Sequence, residues 1–357
     1  MTFIFELADI IEVSFFNERR PKTKFCPSSE ILSEMPVRES RVMVLESLTC
    51  AFLLILSLAG NVIVIVVTFK KPYLNSSTSL FIVVLATIDL LVAVIPGAFF
   101  LVSLTTGRIA FSSVGCSISG FFMHFTTLSS ISIYGLIAVN RYFCVLKPNH
   151  YKNVFSSRRS AVFLASLLLF IAIVIAFPLT VGWASMEFNP LMATCWLQFE
   201  SLPLGTGFVA FGVLVFVVPS LVIVVFCYCR ILKELRQHKN NIFTSHKVRL
   251  SVQEINLTKI FLVFVISFVV LWLPTFVVTV IFRVVLHEAI PRQLALAIPF
   301  ELITNSAINP WIYGVMNPSF LKKLLSIFRR PNAVEDKPRE HTLPQHQKFS
   351  PKLANIK

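Results

Sequence analysis

Apolar residues in this chain fall into seven long blocks separated by short polar joins, not into the narrow stripes of a soluble domain. The blocks span 42–69, 79–104, 115–142, 161–181, 204–229, 257–282 and 294–316. Each reaches the length of about 20 residues that a helix needs to cross a hydrocarbon core. A single block would also suit a buried helix of a large soluble protein, but seven in series argue against that. The pattern predicts an all-α membrane protein, a seven-transmembrane helix bundle whose termini lie on opposite sides.

Composition supports this: 55% of the residues are hydrophobic and 14% charged, far from the balance of a soluble domain. Basic residues then orient the bundle. Lys70, Lys71, Lys147, Lys152, Arg158, Arg159, Arg230, Lys233, Arg236, Lys239, Lys247, Arg249, Lys259, Lys322 and Lys323 fall in joins on one side, which is read as cytoplasmic. The opposite joins hold Arg108 and Arg292. The first 41 residues mix Arg and Lys with Glu and leave the first helix nearly undecided. The formal charge of +14 is thus a cationic inner face beside anionic lipid heads. Nucleic acid is not an expected partner, because no zinc spacing or nucleic-acid module accompanies the charge. Three parts result: an extracellular segment 1–41, a helical domain 42–330 and a disordered cytoplasmic tail 331–357. The start "MTFIFELADIIEVSFF" is too acidic for a cleaved signal peptide. The sequons at Asn75 and Asn256 fall on the inner side and are expected to be silent.

Polar side chains inside apolar blocks are costly, so each is a candidate for function. Asn61, Asp89, Asn305 and Asn309 are expected to form one polar cluster, either a sodium and water site with Asp89 as the metal ligand or a hydrogen-bond switch. Simple helix-to-helix adhesion is the alternative for Asn61 and Asp89. Pro219, Pro274 and Pro310 interrupt the last three helices. Phe268 and Trp272, four residues apart, share a face just before Pro274. Arg141 closes the third block in "AVNRY", where a cation suits the helix dipole and needs a partner. Glu254, just before the sixth block, is the expected partner, forming a latch that can open; a snorkelling arginine is the bland reading. Glu301 is expected either to face the interior, against ligand or a neighbouring helix, or to be protonated, and spacing does not choose between these. Cys116 and Cys195 flank the outer side and are read as a disulfide; Cys26, Cys50, Cys144, Cys227 and Cys229 are read as free thiols.

Taken together, Gly60-Asn61, "LATIDL", Cys116 with Cys195, Asn140-Arg141-Tyr142, Pro219, Phe268 with Trp272 and Pro274, "NPWIY" and "NPSFLKKLLSIF" resemble the rhodopsin-like family of G-protein-coupled receptors. The resemblance covers about 45–328. It implies a short amphipathic eighth helix on the inner surface and no enzymatic activity. It implies a ligand pocket of Met123, His124, Thr127, Phe211, Phe268, Trp272, Phe276 and Thr279. It implies switch roles for Asn140, Arg141, Tyr142, Glu254, Asn309, Pro310 and Tyr313. The implied partners are a heterotrimeric G protein, of the inhibitory class if the melatonin branch is the guide, together with arrestin, a receptor kinase and membrane lipids at the plasma membrane. "CSISGFFMHFTTLSSISIYGLIAVNRY" is similar to the melatonin-receptor branch, although no asparagine stands near Pro178, and Phe199 stands where that branch has glutamine. Met123 and Ile303 replace the aspartate of amine receptors and the lysine of opsins, so the expected ligand is a neutral or apolar small molecule. A peptide ligand, or a transporter or channel of seven helices, are the rival readings; against transport, the blocks show no inverted halves.

Overall fold

The computed structural model describes residues 38–69, 77–109, 111–155, 157–240, 252–281, 290–317, 320–321 and 324–325. Segments 1–37 and 326–357, and with them Cys26 and the tail, lie outside the described residues. The helices are α1 (Ser40–Phe69), α2 (Ser77–Val94), α3 (Pro96–Thr106), α4 (Ser113–Leu146), α5 (Pro148–Val154), α6 (Ser157–Thr180), α7 (Leu202–Gly212), α8 (Val218–Asn240), α9 (Val252–Val280) and α10 (Arg292–Met316). A hairpin, β1 (Ala184–Asn189) with β2 (Thr194–Phe199), lies between α6 and α7.

Among the described residues, six stretches are long and apolar enough to cross a membrane: 40–69, 77–106, 113–146, 159–180, 213–234 and 256–275. The seventh is α10, whose 25 residues span about 37 Å. Its apolarity is diluted by Glu301, Asn305 and Asn309, and the two asparagines are buried against the other helices. The outward faces are greasy throughout: Leu48, Phe52 and Ile55 on α1, Phe163 and Ile173 on α6, and Val222 and Val225 on α8 are exposed. Only lipid tolerates so large an apolar surface.

Two crossings are broken where backbone chemistry demands it. The second bends at Ile95, where Pro96 starts a fresh helix that ends on Gly107 at φ +71°. The fifth joins α7 to α8 through a π-helical turn, Val213–Val217, because Pro219 offers no N–H to the turn before it. Helices α9 and α10 run on through Pro274 and Pro310.

Close approach and ion pairing fix α1 against α10. A Cβ on Gly60 would lie 2.7 Å from Pro310 Cβ, so only glycine lets the two helices meet there. At the disulfide end of the bundle, Arg292 grips Glu46 with both terminal nitrogens at 2.7 and 2.9 Å. Arg38 adds a third bond at 2.7 Å and donates to Leu104 O on α3. The main core lies toward the opposite end, where Phe81, Ile133, Phe261, Phe264, Tyr313 and Phe320 pack together. Beyond α10, residues 320–321 and 324–325 are helical; Phe320 is buried against Tyr313, while Leu321 and Leu325 face outward.

Candidate functional site: chamber, polar layer and arginine end

The hairpin closes the disulfide end. Its turn is set by Asn189 Oδ1, which accepts from the N–H groups of Leu191 and Met192, and by Ala193 in the left-handed region at φ +53°. The Cys116–Cys195 disulfide ties β2 to α4. Gly120 leaves room for the crossing strands: a Cβ there would meet Met186 Sδ at 2.6 Å. Trp196 lies over His124 with ring centroids 4.5 Å apart, and Thr194 reaches Met123 Sδ at 3.7 Å. Met123, Ala193, Leu302 and Ile303 are buried in one cluster, with Trp196 and Trp272 packed on it.

Four of the expected pocket residues therefore share this layer, Met123, His124, Trp272 and, through its ring contact, Phe268, whose ring is 5.8 Å from Trp272. Thr127 is on the same helix and spends its hydroxyl on Met123 O. His124 Nδ1 bonds Gly120 O at 2.8 Å, the carbonyl acting as acceptor. Phe211 is elsewhere: 42% exposed, it lines a lateral cavity of about 450 Å³ with Phe177, Pro178, Phe199 and Phe208. Its place on α7 turns it toward the α6 flank, away from Trp272. The side chains of Phe276 and Thr279 lie outside the described residues.

One layer deeper, Asn309 Nδ2 donates to Asp89 Oδ2 at 2.9 Å. Tyr134, on α4, ties the two asparagines of α10 together. Asn305 Nδ2 donates to its hydroxyl at 3.3 Å, Asn309 Nδ2 donates at 3.2 Å, and the hydroxyl stands 3.3 Å from Asn309 Oδ1. Asn61 joins through backbone, donating to Ser57 O at 2.9 Å and Ser306 O at 3.2 Å. Ser306 bridges to Ser57 and to Asp89 O. A void of about 20 Å³ beside Asp89, Asn61 and Asn309 is about the room one water needs.

Arg141, only 1% exposed, lies at the far end. Its Nη2 donates to Asn140 Oδ1 at 2.6 Å and also to Thr78 on α2, and its Cζ sits 5.7 Å from the Phe261 ring centroid. Asn140 is held in turn by Tyr151 OH of α5 at 3.3 Å. Tyr142 packs on Phe226 of α8. Glu254 is on α9, but its side chain lies outside the described residues, so the expected latch is not visible.

The helix count, the disulfide, the paired Asp89 and Asn309 and the buried arginine coincide with one sequence signature, "7 transmembrane receptor (rhodopsin family)", which matches residues 60–313. The chain belongs to that family. Similar sequences include melatonin receptor type 1A of Ovis aries, 32% identical over 282 residues that cover 77% of this chain and 75% of the relative. Melatonin receptor type 1C of Xenopus laevis is 29% identical, covering 85% and 73%. The crystal structure of squid rhodopsin superposes with a TM-score of 0.69 at 22% identity, covering 83% of this chain and 90% of that one, which supports the fold. As a rhodopsin-family chain it is a multi-pass membrane receptor and not an enzyme.

Reading the receptor's sequence for polar groups inside helices passed over four that the structure puts to use. Tyr134 was indistinguishable from a core aromatic, and Thr275 and Thr78 from ordinary helix threonines. Tyr151 lies in a join. Only packing shows that Thr275 donates to Glu301, and that Thr78 and Tyr151 flank the Asn140-Arg141 pair.

Proposed function

We propose that the chain is a plasma-membrane receptor for a small, largely apolar ligand, and that its occupation at the disulfide end promotes nucleotide exchange on a heterotrimeric G protein at the Arg141 end. One observation carries the reading: a guanidinium buried to 1% exposure and held by an amide oxygen and a hydroxyl. A cation in such a place is expensive unless it is used. Released from Asn140 and Thr78, it becomes a cationic contact for a cytosolic partner in the cleft that opens beside α9.

A contact chain leads from the Trp272 layer down to the polar layer of Asp89. Trp272 stacks on Phe268, Phe268 meets Tyr134 at 5.7 Å, and Tyr134 joins Asn309 and Asp89. A shift of Trp272 by ligand therefore bears on the hydrogen bonds of α10. The Asn309 amide already placed on Asp89 Oδ2 supports a hydrogen-bond switch there. Melatonin, named for the relatives, is a natural first probe. Coupling to the inhibitory class, and later capture by a receptor kinase and arrestin, complete the proposal.

The test is GTP loading by a panel of purified G proteins on receptor in lipid discs. The receptor should accelerate at least one of them, and Arg141→Ala should reduce that acceleration more than tenfold. No acceleration with any G protein, together with solute flux through liposomes that contain the protein, would favour the transporter reading instead.

A further inference from the structure

Among the described residues, three carboxyl groups lie within the bundle, and one of them, Glu301, has a buried oxygen without a partner. Glu46 is held by Arg38 and Arg292, and Asp89 accepts from Asn309. Glu301 accepts from the Thr275 hydroxyl on Oε1, while its Oε2 is buried and, among the described residues, takes no hydrogen bond. Seven other buried side-chain atoms among the described residues also lack a partner, and one of them is the donor Trp272 Nε1.

Glu301 and Trp272 flank one seam, between α9 and α10. Thr275 is three residues beyond Trp272 on α9, which puts both on one face of that helix, and Thr275 touches Glu301 across the seam to α10. Trp272 packs on the buried apolar cluster that holds Met123, Leu302, Ile303 and, from the hairpin, Ala193. A buried acceptor and a buried donor therefore sit at the α9–α10 seam beside an apolar, aromatic floor. Folding alone does not reward such groups, since each costs the loss of its water. Unmatched polar groups in a well-packed interior are where binding sites are found.

We infer that Glu301 and Trp272 form a recognition site for a ligand head group that carries an N–H donor, with Glu301 Oε2 accepting it. Trp272 Nε1 donates to an oxygen beside it where the head group has one. The body of the ligand lies on Met123 and the aromatic floor. This rests on the chamber being the ligand site and deepens that reading. It also moves polar recognition from α4, where the weak thioether acceptor of Met123 is already met by Thr194, to the opposite wall of α10.

The experiment measures thermal unfolding of purified receptor in detergent, with no G protein present, so that its failure is separate from a failure of coupling. The probes are phenethylamine, N-acetylphenethylamine and phenethyl acetate at millimolar concentration; the last replaces the amide N–H of the second by oxygen. At least one nitrogen probe should raise the melting temperature of the wild type by a few degrees, and the ester should not. Glu301→Leu should abolish the shift. Glu301→Gln keeps an acceptor oxygen but not a charge, so it retains the amide response and loses the amine response. Without any probe, Glu301→Leu should melt above the wild type, because an unmatched oxygen has been removed. The inference is overturned if the ester stabilises as well as the amide, if no nitrogen probe acts on the wild type, if the shift survives Glu301→Leu, or if ligand-free Glu301→Leu and Glu301→Gln both melt below the wild type.

Discussion

Two polar layers cross this bundle about one helical turn apart, and they are built in opposite ways. In the layer of Asp89, the donors of Asn309 and Asn305 and the Tyr134 hydroxyl interlock, with Ser57, Ser306 and Asn61 closing the network to α1. Among the described residues, one amide oxygen of that layer, Asn305 Oδ1, is without a partner, and it belongs to the side chain one turn from Glu301. In the layer of Glu301 and Trp272, one hydroxyl serves the carboxyl, and a donor and an acceptor are left over. A matched network fixes how helices pack, and an incomplete one waits for a molecule that completes it.

Substitutions can break or sharpen this contrast. The largest effect is expected where a matched carboxyl is lost. Glu46→Ala removes the carboxylate that Arg38 and Arg292 share in a part-buried site and should lower stability by about 3 kcal/mol, seen as a lower melting temperature with ligand response intact. Next is Tyr134→Phe, which leaves the amides of Asn305 and Asn309 short of a partner. A loss of about 2 kcal/mol is expected, along with altered basal nucleotide exchange. Gly60→Ala should cost about 1 to 2 kcal/mol, because the new methyl group must push Pro310 aside. The smallest change concerns signalling. Asn140→Asp gives Arg141 a carboxylate in place of an amide oxygen at 2.6 Å, so basal exchange should fall several-fold with little change in melting. Unchanged basal exchange at equal expression would mean that the arginine's grip on Asn140 does not govern opening.

How much of this was legible beforehand follows from what each signal measures. Block length and polar joins carry the seven crossings, because the bilayer imposes a length on every helix. Asp89, Asn305, Asn309 and Arg141 stood out because such residues are rare in apolar surroundings. Tyr134 and Thr275 did not, since their hydroxyls ride on side chains that a membrane helix tolerates anywhere. Phe211 was placed in the chamber by resemblance, yet it faces the lateral cavity, because the π-helical turn that follows at Val213–Val217 sits in a stretch where facing cannot be read by counting turns. The second crossing read as one helix, and only the backbone at Ile95 shows the break that Pro96 permits. The hairpin was hidden as well, since six-residue strands in a polar join leave no mark on a pattern read in blocks of about 20.

The most direct test of the contrast is a paired melt of ligand-free Tyr134→Phe and Glu301→Leu receptors in the same detergent. Opposite shifts are predicted, downward for the tyrosine and upward for the glutamate, because one change removes the hydroxyl that two asparagines bond and the other removes a buried oxygen without a partner. Shifts of the same sign would contradict the account and make both layers parts of a single structural core.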